Sequence, residues 1–345
     1  MSAGATGRPP GASRAAILAW LAAILVASVV ASVMVGSVRL SPWDVLRGLV
    51  EGGSQDTAAT IVRKIRLPRT LLAGIVGACL SVAGLGFQAI SRNPLADPSV
   101  LGVSSGASFG LMVAILLGVA GPTSSPILPT LFAFAGALLA AVLVYAIAQV
   151  DGRLPVTTLL LSGVIIGLFF TSCVMLATVV LAAAELQGVV FWLMGNLAPA
   201  NPGTLVVLAV VLAVGVTVLA RQAPRLNLLA LGDEQALQLG VEAERVKRAV
   251  FVAASLVTGA AISAAGSIGF VGLIVPHAAR LLLGPDNRAL VPTSVGLGAA
   301  FLILADLGAR TIAAPTELPV GVITSFCGAP LFVYLLRRRR GVDPW

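Results

Sequence analysis

The chain has 345 residues, 58% of them hydrophobic and only 10% charged, with a mean hydropathy of +1.02. So little polar surface cannot cover a water-soluble globule of this size, and the short alternating segments of an outer-membrane barrel are missing. The net charge of +8 comes from basic residues scattered among apolar runs, which points to membrane lipid and not to nucleic acid as a partner.

The apolar runs are about 17 to 25 residues long, the length at which a helix crosses a hydrocarbon core of ~30 Å. Polar and Gly/Pro breaks divide the chain into spans at 15–37, 68–90, 99–119, 127–148, 157–181, 203–220, 248–265, 268–284, 291–308 and 318–336. The expected fold is all-α, a polytopic transmembrane helical bundle. A flexible basic tail covers 1–14, one transmembrane domain 15–336 (with a cytoplasmic loop at 221–247) and a second basic tail 337–345. Arg8 and Arg14 precede the first span as they would in a signal peptide. That run is long for a cleaved segment and nine further spans follow, so it reads as a retained helix.

An even number of spans puts both termini on one side, and the basic residues of both tails assign that side to the cytoplasm. This topology gathers 15 of the 22 basic residues inside. Outside remain Arg39, Arg47, Arg63, Lys64, Arg66 and Arg69 before the second span, and Arg310 after the ninth. A basic cluster there runs against the usual bias. Either it snorkels to lipid headgroups or it receives a partner.

The second span opens with Arg66-Leu67-Pro68-Arg69 and contains Gly74, Gly77, Gly84 and Gly86, small residues that let helix backbones approach in lipid. The turn Asn93-Pro94-Leu95-Ala96-Asp97-Pro98 follows, then Gly102-Val103-Ser104-Ser105-Gly106. The latter fits the G-x-S-x-G string of a serine hydrolase, which also needs a strand-to-helix turn and a His–acid pair. Here the string opens a membrane helix and the chain has one histidine, His277, so Ser104 and Ser105 read as small residues beside a pathway. Cys79, Cys173 and Cys327 lie far apart within apolar runs, with no metal-ligand spacing.

The only lysines, Lys64 and Lys247, fit no P-loop, so the chain has no ATPase site of its own and reads as no enzyme. Between Arg221 and Arg248 the chain is unusually polar. Gly232 ends one turn, Asp233 and Glu234 favour the start of a short helix, and Gly240 is placed to stop it. Leu237 and Leu239 then offer an apolar patch to a partner. A secondary carrier would bury ionisable residues in mid-span. Asp97 and Asp306 read as lying at span ends, which argues against that class.

Taken in order, these strings resemble the FecCD-type permeases of ABC importers, which take up iron-siderophore complexes, haem and cobalamin. Further matches are Leu159-Leu160-Leu161-Ser162-Gly163, Gly272-Leu273-Ile274-Val275-Pro276-His277 and Glu317-Leu318-Pro319-Val320-Gly321, so the likeness runs from about residue 40 to 340. The resemblance implies a type II ABC importer permease fold in the cytoplasmic (inner) membrane. Spans two to five and seven to ten would form halves of opposite orientation, with the break Asn93-Pro94 in one answered by Gly284-Pro285-Asp286-Asn287 in the other.

The same resemblance assigns roles. Leu231, Gly232, Asp233, Glu234, Leu237, Leu239 and Gly240 would dock on an ATPase. Arg66, Arg69 and Arg310 would meet acidic residues of a periplasmic or lipid-anchored substrate-binding protein. A cytoplasmic gate falls on Val156 and Thr157, where an apolar residue replaces one of the family's hydroxyls. The partners implied are two ATPase subunits, which use ATP and Mg, and a second permease copy or homologue. No cofactor or metal is expected on this chain. The substrate implied is a ferric siderophore, with haem or cobalamin as alternatives.

Overall fold

In hydrocarbon, backbone amides and carbonyls find no water, so an apolar run satisfies them within its own helix. The computed structural model describes residues 14–36, 38, 40–50, 57–120, 127–179, 181, 183–197 and 201–338. The tail expected over 1–14 therefore lies outside the described residues as far as residue 13, as do Arg39 and 339–345. In chain order come α1 (Arg14–Met34), α2 (Pro42–Val50), α3 (Thr57–Thr60), a π-helical turn (Ile61–Arg66) and α4 (Leu67–Ser91). A 3-10 turn (Pro98–Leu101) leads to α5 (Val103–Leu116), α6 (Ile127–Ala148), α7 (Val156–Thr178) and α8 (Ala183–Leu193). Then follow α9 (Pro202–Leu229), α10 (Asp233–Gln238), α11 (Ala243–Ala265), α12 (Val271–Leu283), α13 (Asn287–Thr311) and α14 (Val320–Arg338).

Among the described residues, seven helical stretches are long and apolar enough to cross a membrane, and α5, α12 and the start of α14 are shorter apolar helices. Together they account for the ten spans. The most deeply buried is α4, which α9, α11, α12 and α13 enclose. Its glycines explain how: a Cβ on Gly77 or Gly298 would strike the other's carbonyl, and one on Gly84 would strike that of Gly272. Lipid gives no hydrophobic reward for helix contact, so close backbone approach is what makes dispersion between helices add up. The pair α5–α6 uses the same device, Gly106 against Gly136. Helix α7 packs on α5 and α6, α11 joins this group to α4, and α1 lies on α13.

Helix lengths repeat. The short α5 follows α4 just as the short α12 follows α11, and each short helix is entered through a left-handed residue, Gly102 (φ 75°) and Phe270 (φ 68°). The repeat thus equates the connection 92–102 with 266–270. Asn93-Pro94 follows the first helix of its set, whereas 284–287 follows the second of its own, so the two polar breaks are not counterparts.

One boundary also differs from the sequence reading. The span expected to end at 220 continues as α9 to Leu229, through Arg221 and Pro224. Leu219, Ala223, Leu226 and Leu229 are all buried, a three-and-four spacing along one helix face, and that packing outweighs the interior proline.

A substitution series tests the glycine contacts. Gly84→Val should cost about 3 kcal/mol, the upper end of the overpacking range. In contrast Gly296→Ala, whose Cβ would meet nothing within 4 Å, should be neutral or stabilising by up to ~1 kcal/mol. Unfolding of the purified protein in detergent reads both.

Candidate functional site

At one end of the bundle, three arginines converge. Arg66 closes the π-helical turn and donates to the carbonyls of Val33 (2.9 Å) and Met34 (2.8 Å) at the end of α1 and to that of Val38 just beyond it. Arg69 stands in the first turn of α4, just after Pro68, where the helix passes from the π-helical turn into α4. Its Nε donates to Asp306 Oδ1 at 2.9 Å and its Nη1 to Glu317 Oε2 at 2.6 Å. Arg310, one turn after Asp306 on α13, pairs with the other carboxylate oxygen at 2.9 Å and donates to Ser32 Oγ at 2.8 Å. Ser32 and Thr70 share a hydrogen bond at 2.7 Å, completing a network across α1, α4 and α13.

The sequence treats these arginines as rim charges. In the folded chain Arg66, Arg69 and Arg310 are 3%, 6% and 3% exposed, and each is already bonded internally. Asp306, read from the sequence as lying at a span end, stands five residues before the end of α13 and is fully buried. Of the cluster's two acids only Glu317 reaches solvent. Exposed basic residues nearby are Arg47, Arg63 and Lys64.

The opposite end carries the polar segment. After α9 the chain turns through Gly232, whose φ of 122° only glycine adopts readily, and starts α10 at Asp233. Gly240 (φ 80°) ends it, with its N–H on Leu237 O and that of Val241 on Ala236 O. Ala236 is buried, while Leu231, Leu237 and Leu239 are more than half exposed and Glu234 faces solvent. Asp233 holds α10 down through ion pairs with Arg92, the residue after α4 (3.2 Å), and Lys247 of α11 (2.6 Å). Asn227 Nδ2 donates to Asp286 Oδ1 at 2.8 Å, fixing the end of α9 to the start of α13. His277 sits within α12, in a proline-containing segment near this end.

Between the two ends lies a cavity of about 620 Å³ lined by Met194, Ser267, Gly269, Gly321, Ser325 and Phe326, among others. Ser104, in the first turn of α5, shares a 2.8 Å hydrogen bond with Ser267, and Ser105 accepts one from Thr171 at 3.2 Å. The G-x-S-x-G serine thus faces a serine hydroxyl and opens a helix that no strand precedes. Asp97 caps the turn before α5, accepting the Ser99 N–H at 2.8 Å. Burial pushes the Asp97 carboxyl above the usual range, and the Ser99 hydrogen bonds oppose that shift.

Val156 and Thr157 begin α7 behind Pro155, half-buried and exposed respectively. Gly102 touches α7 at Gly163 and Gly167, so the serines lie about 15 Å further along that helix than Thr157. The structure therefore separates the gate pair from the serine pair.

Sequence reasoning missed Ser267, Glu317, Arg92 and Glu244 as partners. The Asp306–Arg310 pair was visible as a four-residue spacing on one helix. Glu244 likewise stands three residues before Lys247 on α11, while Ser267, Glu317 and Arg92 come together with their partners only through tertiary contact.

Fold and sites together define a multi-pass membrane permease. The FecCD transport family pattern matches residues 24–338, and the chain belongs to that family of ABC importer permeases. The cobalamin import system permease protein BtuC of Halobacterium salinarum is 47% identical over 302 residues, 86% of this chain and 80% of that protein. The hemin transport system permease protein HmuU of Yersinia pestis is 37% identical over 329 residues, 94% of this chain and 96% of that one. A solved metal-chelate type ABC transporter in an inward-facing conformation superposes with a TM-score of 0.81 at 32% identity, over 93% of this chain and 99% of the other.

Removing one member of a buried charge network leaves the others uncompensated. Asp306→Ala should therefore cost about 3–5 kcal/mol. Glu317→Gln, whose side chain is 41% exposed, should cost no more than about 1 kcal/mol. Denaturation of the two variants in detergent compares them directly.

Proposed function

We propose that this chain is the pathway-forming subunit of an importer that moves a ferric siderophore across the cytoplasmic membrane. The exposed leucine face of α10 carries this reading. Leu231, Leu237 and Leu239 stand out beside a helix held by ion pairs, an apolar patch that a protein partner would cover. That partner is an ATPase subunit, one for each of two permeases, using ATP and Mg. The termini and α10 then face the cytoplasm, in keeping with the distribution of basic residues.

The arginine end faces out and receives the substrate-binding protein. Arg66, Arg69 and Arg310 act there from below the surface. They exceed the two carboxylates of their network by one charge, and exposed Arg47, Arg63 and Lys64 extend the positive field. A positive field of this kind speeds and orients docking more than it tightens it. The pathway runs between this chain and a second copy or homologue, past Ser104 and Ser105, to a gate at Val156 and Thr157. ATP binding to the partner favours one shape of the pathway and hydrolysis resets it. The permease contributes the difference in stability between the two shapes, and neither cofactor nor metal is assigned to it.

A second reading, a corrinoid as substrate, is favoured by the 47% identity to a cobalamin permease. Proteoliposomes holding the chain with its ATPase and binding protein should take up a radioiron-loaded siderophore only with ATP inside the assembly's nucleotide-binding compartment. Uptake of labelled cyanocobalamin instead would select the second reading. Leu237→Asp with Leu239→Asp should abolish uptake by releasing the ATPase while leaving the permease folded. Uptake that continues without ATP would sink both readings.

A further inference from the structure

We propose that Lys247 and Glu244 form a relay that ties α10 to the gate, both acting as positioning residues. The inference rests on the importer reading above. Lys247, one of only two lysines in the chain, is 3% exposed. Its Nζ donates to Asp233 Oδ2 at 2.6 Å and to Glu244 Oε1 at 3.1 Å. The other oxygen of Glu244 accepts the backbone N–H of Leu154 at 2.7 Å. An unbroken line of short polar contacts thus runs from α10 through α11 to the residue two places before Val156.

What Glu244 grips is built to move as a unit. Val150 and Arg153 exchange both of their backbone hydrogen bonds, at 3.0 and 2.9 Å, around Asp151 (φ 49°) and Gly152 (φ 75°). Two positive φ values in a two-residue turn make the tight hairpin that leaves a segment little freedom. Leu154 buries its side chain, and Pro155 holds φ at −62° immediately before α7. A pull on the Leu154 amide is therefore carried into the first turn of α7, where Val156 and Thr157 stand. At the other end Arg92 holds the second oxygen of Asp233, so α10 is referred to the core helix α4 as it pulls.

Stability alone gives little reason for this arrangement. A buried ammonium costs desolvation that two carboxylates at best recover, and the Leu154 N–H at a solvated turn could be served by water. Transmission gives a reason: charge-assisted contacts are short and directional, so they carry a displacement that greasy contacts would let slip.

The test uses the whole complex in proteoliposomes, with radioiron-loaded hydroxamate siderophore or labelled cyanocobalamin, whichever the unaltered chain imports. ATP hydrolysis and uptake are measured on the same vesicles. In Glu244→Ala and Lys247→Met, hydrolysis should stay within about twofold while substrate imported per ATP falls about tenfold, inside the roughly 5- to 150-fold range of site-to-site coupling. Lys247→Arg, which keeps the charge and its donors, should restore most of the ratio. An unchanged ratio in both disruptive variants overturns the relay. So does a parallel loss of hydrolysis and uptake, which would make the contacts a structural staple. If the unaltered chain imports nothing with ATP, the importer reading fails, and the relay fails with it.

Discussion

Hydrocarbon offers a helix neither water for its backbone nor a hydrophobic reward for pressing against another helix. Close contact between bare backbones supplies what is missing, and α4 is where this chain concentrates it, through Gly77 against Gly298 and Gly84 against Gly272. The consequence reaches both functional ends. Arg69 stands in the first turn of α4 and Arg92 directly after its last, so one enclosed helix of 25 residues, about 37 Å long, links the arginine network to the anchor of α10.

The two ends differ in how far solvent reaches their charges. At the arginine end, Asp306 is fully buried between Arg69 and Arg310, and water cannot replace a lost partner. That network clamps α1, α4 and α13 together. At the α10 end, the Arg92–Asp233 pair is more than one-third exposed on both sides, so solvent can exchange for it at small cost, while the carboxylates that hold buried Lys247 stay partly open to solvent. The proposed importer asks for this difference, with one end holding its shape while a binding protein comes and goes and the other shifting with the ATPase.

Much of this was legible in the sequence. Apolar runs of spanning length gave the helices, since lipid leaves a chain few other choices, and the glycines of the second span marked close packing. Gly232, Asp233 and Gly240 outlined α10 because capping is local chemistry. Burial was harder to read. Arg66 and Arg69 look like surface charges until α1 and the segment around Glu317 close over them, and Asp306 looks terminal because Thr311 rather than Gly308 ends its helix. The continuation of α9 past Pro224 followed from packing against α4 and α11, which no local rule contains. Glu244 showed only its three-residue spacing from Lys247, since its other partner is a backbone amide 90 residues away.

The account stands or falls on whether α10 carries a nucleotide-hydrolysing partner. Purifying the tagged chain from its native membrane in mild detergent, and identifying what comes with it, asks that directly. The account predicts an ATPase subunit in equal copy number with the permease. Recovery of the intact permease with no ATPase, together with native-membrane uptake that ignores ATP and collapses with an ion gradient, would contradict it.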